Sequence, residues 1–296
     1  MSAIPLAEPA APPPPQRPPL WPVFLAYGVV FVLLIAGAAV ILGGGFLAKL
    51  AKQPDRIQDA EDVIPLLEEL MASPTVLLAS GVNSTLTILL SVLVAVKLEG
   101  ARFAPRLRLE RARATPLAAA IFVVGFFCLS QSMDSLTSVL GIKVTGTIAM
   151  MTSAFSQASG PLFPVLLFFV GPMAGFSEEL FFRGYMQTRL RQHWRPWPAI
   201  AVTAALFGLL HLDPLHSPFA FVVGLFLGWV TELTGSLWPA IAAHVVNNTV
   251  WALSTAYLPE PLARATHAAM LGVLALVVTA SIVALRRLYG GGVARA

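Results

Sequence analysis

The chain is expected to be all-α: a polytopic helical membrane protein with about eight transmembrane helices. Three observations predict this. The 296 residues are 57% hydrophobic and only 11% charged, against about 25% charged in soluble domains. Mean hydropathy is +0.77. Apolar runs of near-spanning length recur along the whole chain, most of them opening at or near a proline, which suits a first helical turn where its missing N–H costs nothing. A sequence pI of 9.6 would also suit nucleic-acid binding. The basic residues, however, fall in short clusters beside apolar runs, where they orient a membrane protein, so no nucleic-acid partner is expected.

Residues 1–20, "MSAIPLAEPAAPPPPQRPPL", are too proline-dense for helix and read as a disordered tail. They lack the charged n-region and cleavage site of a secretory signal, so the first apolar run is expected to stay as an anchor. The expected spans are Trp21–Leu42, Pro74–Val96, Pro116–Met133, Pro161–Gln192, Pro198–Leu212, Pro218–Leu233, Leu237–Tyr257 and Leu262–Leu285. A helix needs about 20 apolar residues to cross about 30 Å of hydrocarbon, and the fifth and sixth are short. The stretch 141–160 is less apolar and reads as an external loop or interfacial helix. Cys128 stands alone, so no intrachain disulfide forms, and it reads as a small buried apolar side chain.

The connections set the expected orientation. Lys97, Arg102, Arg106, Arg108, Arg111 and Arg113 crowd residues 97–115; Arg189, Arg191 and Arg195 follow the fourth span, and Arg286, Arg287 and Arg295 the last. The 49–73 connection is instead rich in acids, among them Asp55, Asp59, Glu61, Asp62, Glu68 and Glu69. Eight crossings put all three basic clusters and both termini on one side, the cytoplasmic one by the positive-inside rule. Four units result: the tail, 1–20; a transmembrane hairpin with its basic loop, 21–112; a core, 113–257; and a last helix with a basic tail, 258–296. An alanine- and proline-rich composition with short loops points to a bacterial cytoplasmic membrane.

The second half carries nearly all the ionisable groups within spans. An acid or base at a helix centre costs about 2.5–3.5 kcal/mol on insertion scales, and such residues are functional by default. "EELFFR" holds Glu178, Glu179 and Arg183; "FGLLH" holds His211; "HVVNN" holds His244 and Asn248. At 1.5 Å per residue, Glu179 lies about 15 Å below the expected surface, His244 about 10 Å, Asn248 about 16 Å and His211 about 20 Å. These depths overlap, so three helices can line one pocket open to the cytoplasm.

Glu179 and Arg183 are i and i+4, with the acid first, the better order for pairing. Glu178 is turned about 100° away and stays available as a base. His244 and Asn248 are also i and i+4 and share a helix face. Against this, a lone buried histidine is more often a hydrogen-bonded core residue, and Glu179–Arg183 alone would suit helix packing. Glu232 reads as interfacial at the end of its span. Asp213, His216 and His193 read as solvent-side.

Two chemistries remain open. Glu178, His211 and His244 can in principle ligate a divalent metal such as Zn2+, although no His-Glu-x-x-His helix is present. Alternatively, glutamate and histidine polarise a water, with a histidine and an amide donating to a tetrahedral oxyanion. No Gly-x-Ser-x-Gly elbow supports a serine nucleophile.

In order, these stretches resemble the Glu-Glu-x-x-x-Arg, Phe-x-x-x-His and His-x-x-x-Asn motifs of the CPBP intramembrane proteases, also called the CAAX prenyl protease 2 or Abi family. The resemblance covers roughly residues 115–255, with "GSLWPAIAAHVVNN" especially typical. It implies a helical CPBP-type core around a cytoplasm-facing cavity and an endopeptidase acting on a membrane-associated protein or peptide. Glu178 with His211 would activate water, Glu179 with Arg183 would support the site, and His244 with Asn248 would form the oxyanion hole. The competing reading is a non-catalytic membrane immunity or transport protein that binds through the same pocket.

Overall fold

A computed structural model describes residues 17–110, 114–258 and 262–289. The proline-rich stretch up to residue 16, and Arg111, Arg113 and Arg295, lie outside the described residues. Ten helices carry the fold: α1 Trp21–Lys52, α2 Val63–Met71, α3 Pro74–Leu98, α4 Pro116–Leu140, α5 Gly146–Gln157, α6 Leu162–Arg191, α7 Pro196–Leu209, α8 His216–Thr234, α9 Trp238–Tyr257 and α10 Arg264–Leu288. No strand occurs among the described residues. The chain is a polytopic, all-α integral membrane protein.

Each of the eight expected spans is helical, and α1, α3, α4, α6, α8 and α10 are long and apolar enough to cross a membrane. The count of eight is therefore approximate. Fourteen residues of α7 fall short of a span. The 20 residues of α9 are long enough, but His244, Asn247, Asn248 and Thr249 dilute their apolarity. The 141–160 stretch folds into α5.

Local sequence sets the ends. Thr115 caps α4 by accepting the Ala118 N–H at 3.2 Å, ahead of Pro116 at the first helical position. Gly141 and Gly235 end α4 and α8 in the left-handed region, at φ 68° and 66°, where a side chain would be strained.

The helix α6 is central: half of its apolar window is buried, against 6% for α1 and 11% for α10. Leu180, Phe181, Phe182, Tyr185 and Met186 of α6 lie in one core cluster with Phe207 and Ile241. The helix α9 packs on both α4 and α6, α7 on α8, and α10 along α4.

Two ion clusters fasten the arginine-rich connections to this frame. Glu99 pairs with Arg106 at 2.6 Å and Arg189 at 2.5 Å. Glu232 pairs with Arg108 at 2.9 Å and Arg191 at 2.8 Å. The 97–115 and 188–197 clusters thus share their acids at one end of the bundle. Tyr289, just past α10, packs against Phe122 near the start of α4, with ring centroids 6.2 Å apart, so Arg286 and Arg287 come to that end too.

Candidate active site

The helix α6 is not uniform. Phe169–Met173, which contains Pro172, and Leu180–Gln187 are wound as π-helix, and Ala174–Glu179 between them is α-helix. Each π turn closes i→i+5 bonds and re-aims the side chains beyond it; such bulges recur at functional sites. Glu178 and Glu179 end the short α segment.

Glu179 and Arg183 are fully buried. Arg183 Nη1 donates to Glu179 Oε1 at 2.7 Å, and Nη2 donates to the Gly224 carbonyl at 3.2 Å. The same Glu179 oxygen lies 2.8 Å from His244 Nδ1. A carboxylate can only accept, so that nitrogen carries the proton. Neutral His244 then presents a bare Nε2, which lies 3.6 Å from Glu178 Oε2. The two adjacent glutamates therefore separate in role: Glu179 is consumed by Arg183 and His244, while Glu178 keeps 18% of its side chain exposed.

Phe207 ties the remaining pieces together. Its ring is 4.6 Å from the Arg183 guanidinium carbon, and its centroid is 5.0 Å from that of His211 and 5.9 Å from that of His244. His211 Nδ1 donates to the Phe207 carbonyl at 2.9 Å, so its Nε2 is also the bare nitrogen. The nearer imidazole to Glu178 is His244; among the described residues no carboxylate forms an ion pair with His211. On α9, the Asn248 amide reaches the Val170 carbonyl of the first π segment at 3.5 Å, and Asn247 donates to Asn248 at 3.4 Å.

The solvent-side assignment of Asp213 and His216 is corrected. Asp213 is buried and accepts N–H bonds from Thr147 at 2.8 Å, Leu215 at 2.9 Å and His216 at 2.7 Å. Burial works against its charge, but the backbone N–H groups of His216, Thr147 and Leu215 outweigh it and hold the carboxyl below the ordinary aspartate range. It pins the start of α5 to the turn that carries His211, beside Gly146, whose φ of 63° would strain a side chain and whose Cβ would overlap Asp213 Oδ2. The His216 ring packs 4.1 Å from the His211 ring. An aspartate followed by proline ahead of an apolar run is the available signal, since aspartate makes such turns with the backbone. Glu232 does sit at the end of its span, but in the ion cluster rather than at a free interface, with Gln187 donating to it at 3.0 Å. His193 is half-buried, with its Nε2 2.7 Å from the Pro18 carbonyl.

Among the described residues, no three His, Cys, Asp or Glu side chains converge so that one ion could be shared. Glu178, His211 and His244 do not make up a ligand set in this arrangement, and no step of the proposed reaction is routed through a metal.

Residues 160–250 match the family model described as "Rce1-like: Type II CAAX prenyl endopeptidase Rce1-like". Over this stretch the chain is similar to that family. The resemblance drawn from the three motifs therefore stands, over a shorter stretch than 115–255. The Rce1-like region runs from the start of α6 into α9 and contains Glu178, Glu179, Arg183, Phe207, His211, His244 and Asn248. No curated protein and no solved structure matches the chain.

Proposed function

We propose that the protein is an intramembrane endopeptidase that hydrolyses a peptide bond of a membrane-associated protein or peptide. One observation carries this: within the Rce1-like region, a partly open carboxylate, Glu178, faces the bare nitrogen of an imidazole whose other nitrogen is held by a buried carboxylate.

Glu178, with His211, takes a proton from water, and the hydroxide adds to the scissile carbonyl carbon. The carbonyl oxygen becomes an oxyanion. The Asn248 amide donates to it, exchanging a long 3.5 Å contact with Val170. His244, oriented at Nδ1 by Glu179, joins the amide when its Nε2 carries a proton. Protonated Glu178 then gives its proton to the leaving nitrogen as the C–N bond breaks. Arg183 holds Glu179 in place.

The test compares peptide termini of the membrane proteome for wild type, Glu178→Ala and His211→Ala at equal membrane insertion. New termini present only with wild type are expected. Identical termini in all three overturn the hydrolase reading in favour of a binding role for the pocket.

A further inference from the structure

A cleft of about 200 Å³ opens between the start of α7 and the outer faces of α8 and α10, lined by Trp197, Leu225, Trp229, Ile282 and Arg286, with Phe226 at its floor. Its lining is apolar except for one cation. Arg106, Arg108, Arg189 and Arg191 at the same end of the bundle are consumed by Glu99 and Glu232. Arg286 is exposed and, among the described residues, makes no ion pair.

We infer that this cleft is a binding site for an anionic phospholipid, one acyl chain lying on Trp197, Leu225 and Ile282 and the phosphate on Arg286. Three observations select that occupant. The cleft lies against two membrane-crossing helices, α8 and α10, where a chain rather than water fills apolar space. Half-exposed Trp197 stands beside the basic connection, at the level where tryptophan marks the headgroup boundary. The one cation of the lining has no ion-pair partner among the described residues; a net-negative headgroup supplies one, whereas a zwitterionic headgroup brings its own ammonium to compete for the phosphate. Long basic side chains at helix ends reach such headgroups by extending their stems along apolar surface.

The site is also placed to be felt at the candidate active site. Phe226 lies 6.0 Å from Phe126, and Phe126 lies 6.2 Å from the His244 ring, centroid to centroid. Binding itself does not depend on the proposed hydrolysis, and neither does its test.

The full chain is reconstituted in vesicles mixing phosphatidylcholine with brominated phosphatidylglycerol, and then with the bromine on the phosphatidylcholine. The part of the tryptophan quenching removed by Trp197→Phe reports the cleft. The expected preference for phosphatidylglycerol falls roughly fivefold in Arg286→Gln, the worth of one basic side chain near an anionic surface. It persists in Arg286→Lys and in Arg287→Gln, whose exposed neighbouring cation lies outside the lining. An unchanged preference in Arg286→Gln, or an equal loss in Arg287→Gln, overturns the site. Competition by inorganic phosphate overturns the lipid assignment in favour of a soluble anion.

Discussion

His244 Nδ1 and Glu179 Oε1 meet at 2.8 Å across 65 residues of sequence, and the same oxygen holds Arg183 at 2.7 Å. One buried carboxylate thus serves a cation on its own helix and an imidazole on another. Removing it leaves a buried guanidinium without compensation, which costs about 3–5 kcal/mol when a buried pair is broken. Glu179→Ala and Arg183→Ala are each expected to lower the thermal midpoint in detergent markedly. The double variant is expected to lose clearly less than their sum. Strict additivity would contradict the coupling.

Glu178 stands next in sequence but makes only the 3.6 Å approach to His244. Glu178→Gln is therefore expected to leave the thermal midpoint near wild type while cutting turnover by about 10²–10⁴-fold, the usual worth of a general base. The check is cleavage of a substrate identified from the wild-type termini, with the midpoint measured on the same preparations. A midpoint that falls as far as in Glu179→Ala would make Glu178 a packing residue.

The helices are legible in the sequence because lipid demands continuous apolar runs and backbone satisfaction within each helix; Trp21–Lys52 and Arg264–Leu288 announce themselves. The three motifs are legible as charge placed where charge is costly. The π windings of α6 are not, since no residue type encodes an i→i+5 register, and Pro172 only marks where one is tolerated. The roles of Asp213 and Glu232 are hidden for another reason. Their partners, Thr147 and Arg108, lie 66 and 124 residues away, and only the assembled bundle brings them close. The same holds for Asn248, whose contact with the Val170 carbonyl depends on how α9 crosses α6.

Glu99 lies just past α3 and outside the membrane-crossing segments. Burial raises its pKa, but the guanidiniums of Arg106 and Arg189 outweigh that and bring it below the ordinary glutamate value of 4.5. A folded-state pKa below the unfolded one gives stability that is complete above the unfolded value and is lost as pH falls through the folded one. The wild-type midpoint is thus expected to drop as pH is taken below about 4.5. Glu99→Gln is expected to be less stable at neutral pH and to lose less on acidification. Parallel curves for the two proteins would show that this carboxylate contributes nothing to the acid limb.

Gly228 faces α6 and α7 at a point where a Cβ would lie 2.7 Å from Gln187 Oε1 and 2.9 Å from Ile200 Cγ2. Gln187 has little room to yield, because its amide donates to the Gly228 and Glu232 acceptors at 3.0 Å each. Gly228→Ala is expected to destabilise by about 1–3 kcal/mol, as overpacking does. Gly43 of α1 has open space where its Cβ would go, so Gly43→Ala is expected to be neutral or to stabilise by up to about 1 kcal/mol through helix propensity. Thermal midpoints of the two variants side by side decide the matter: a Gly228→Ala protein as stable as Gly43→Ala would mean that α8 stands further from α6 than the Gln187 contacts require.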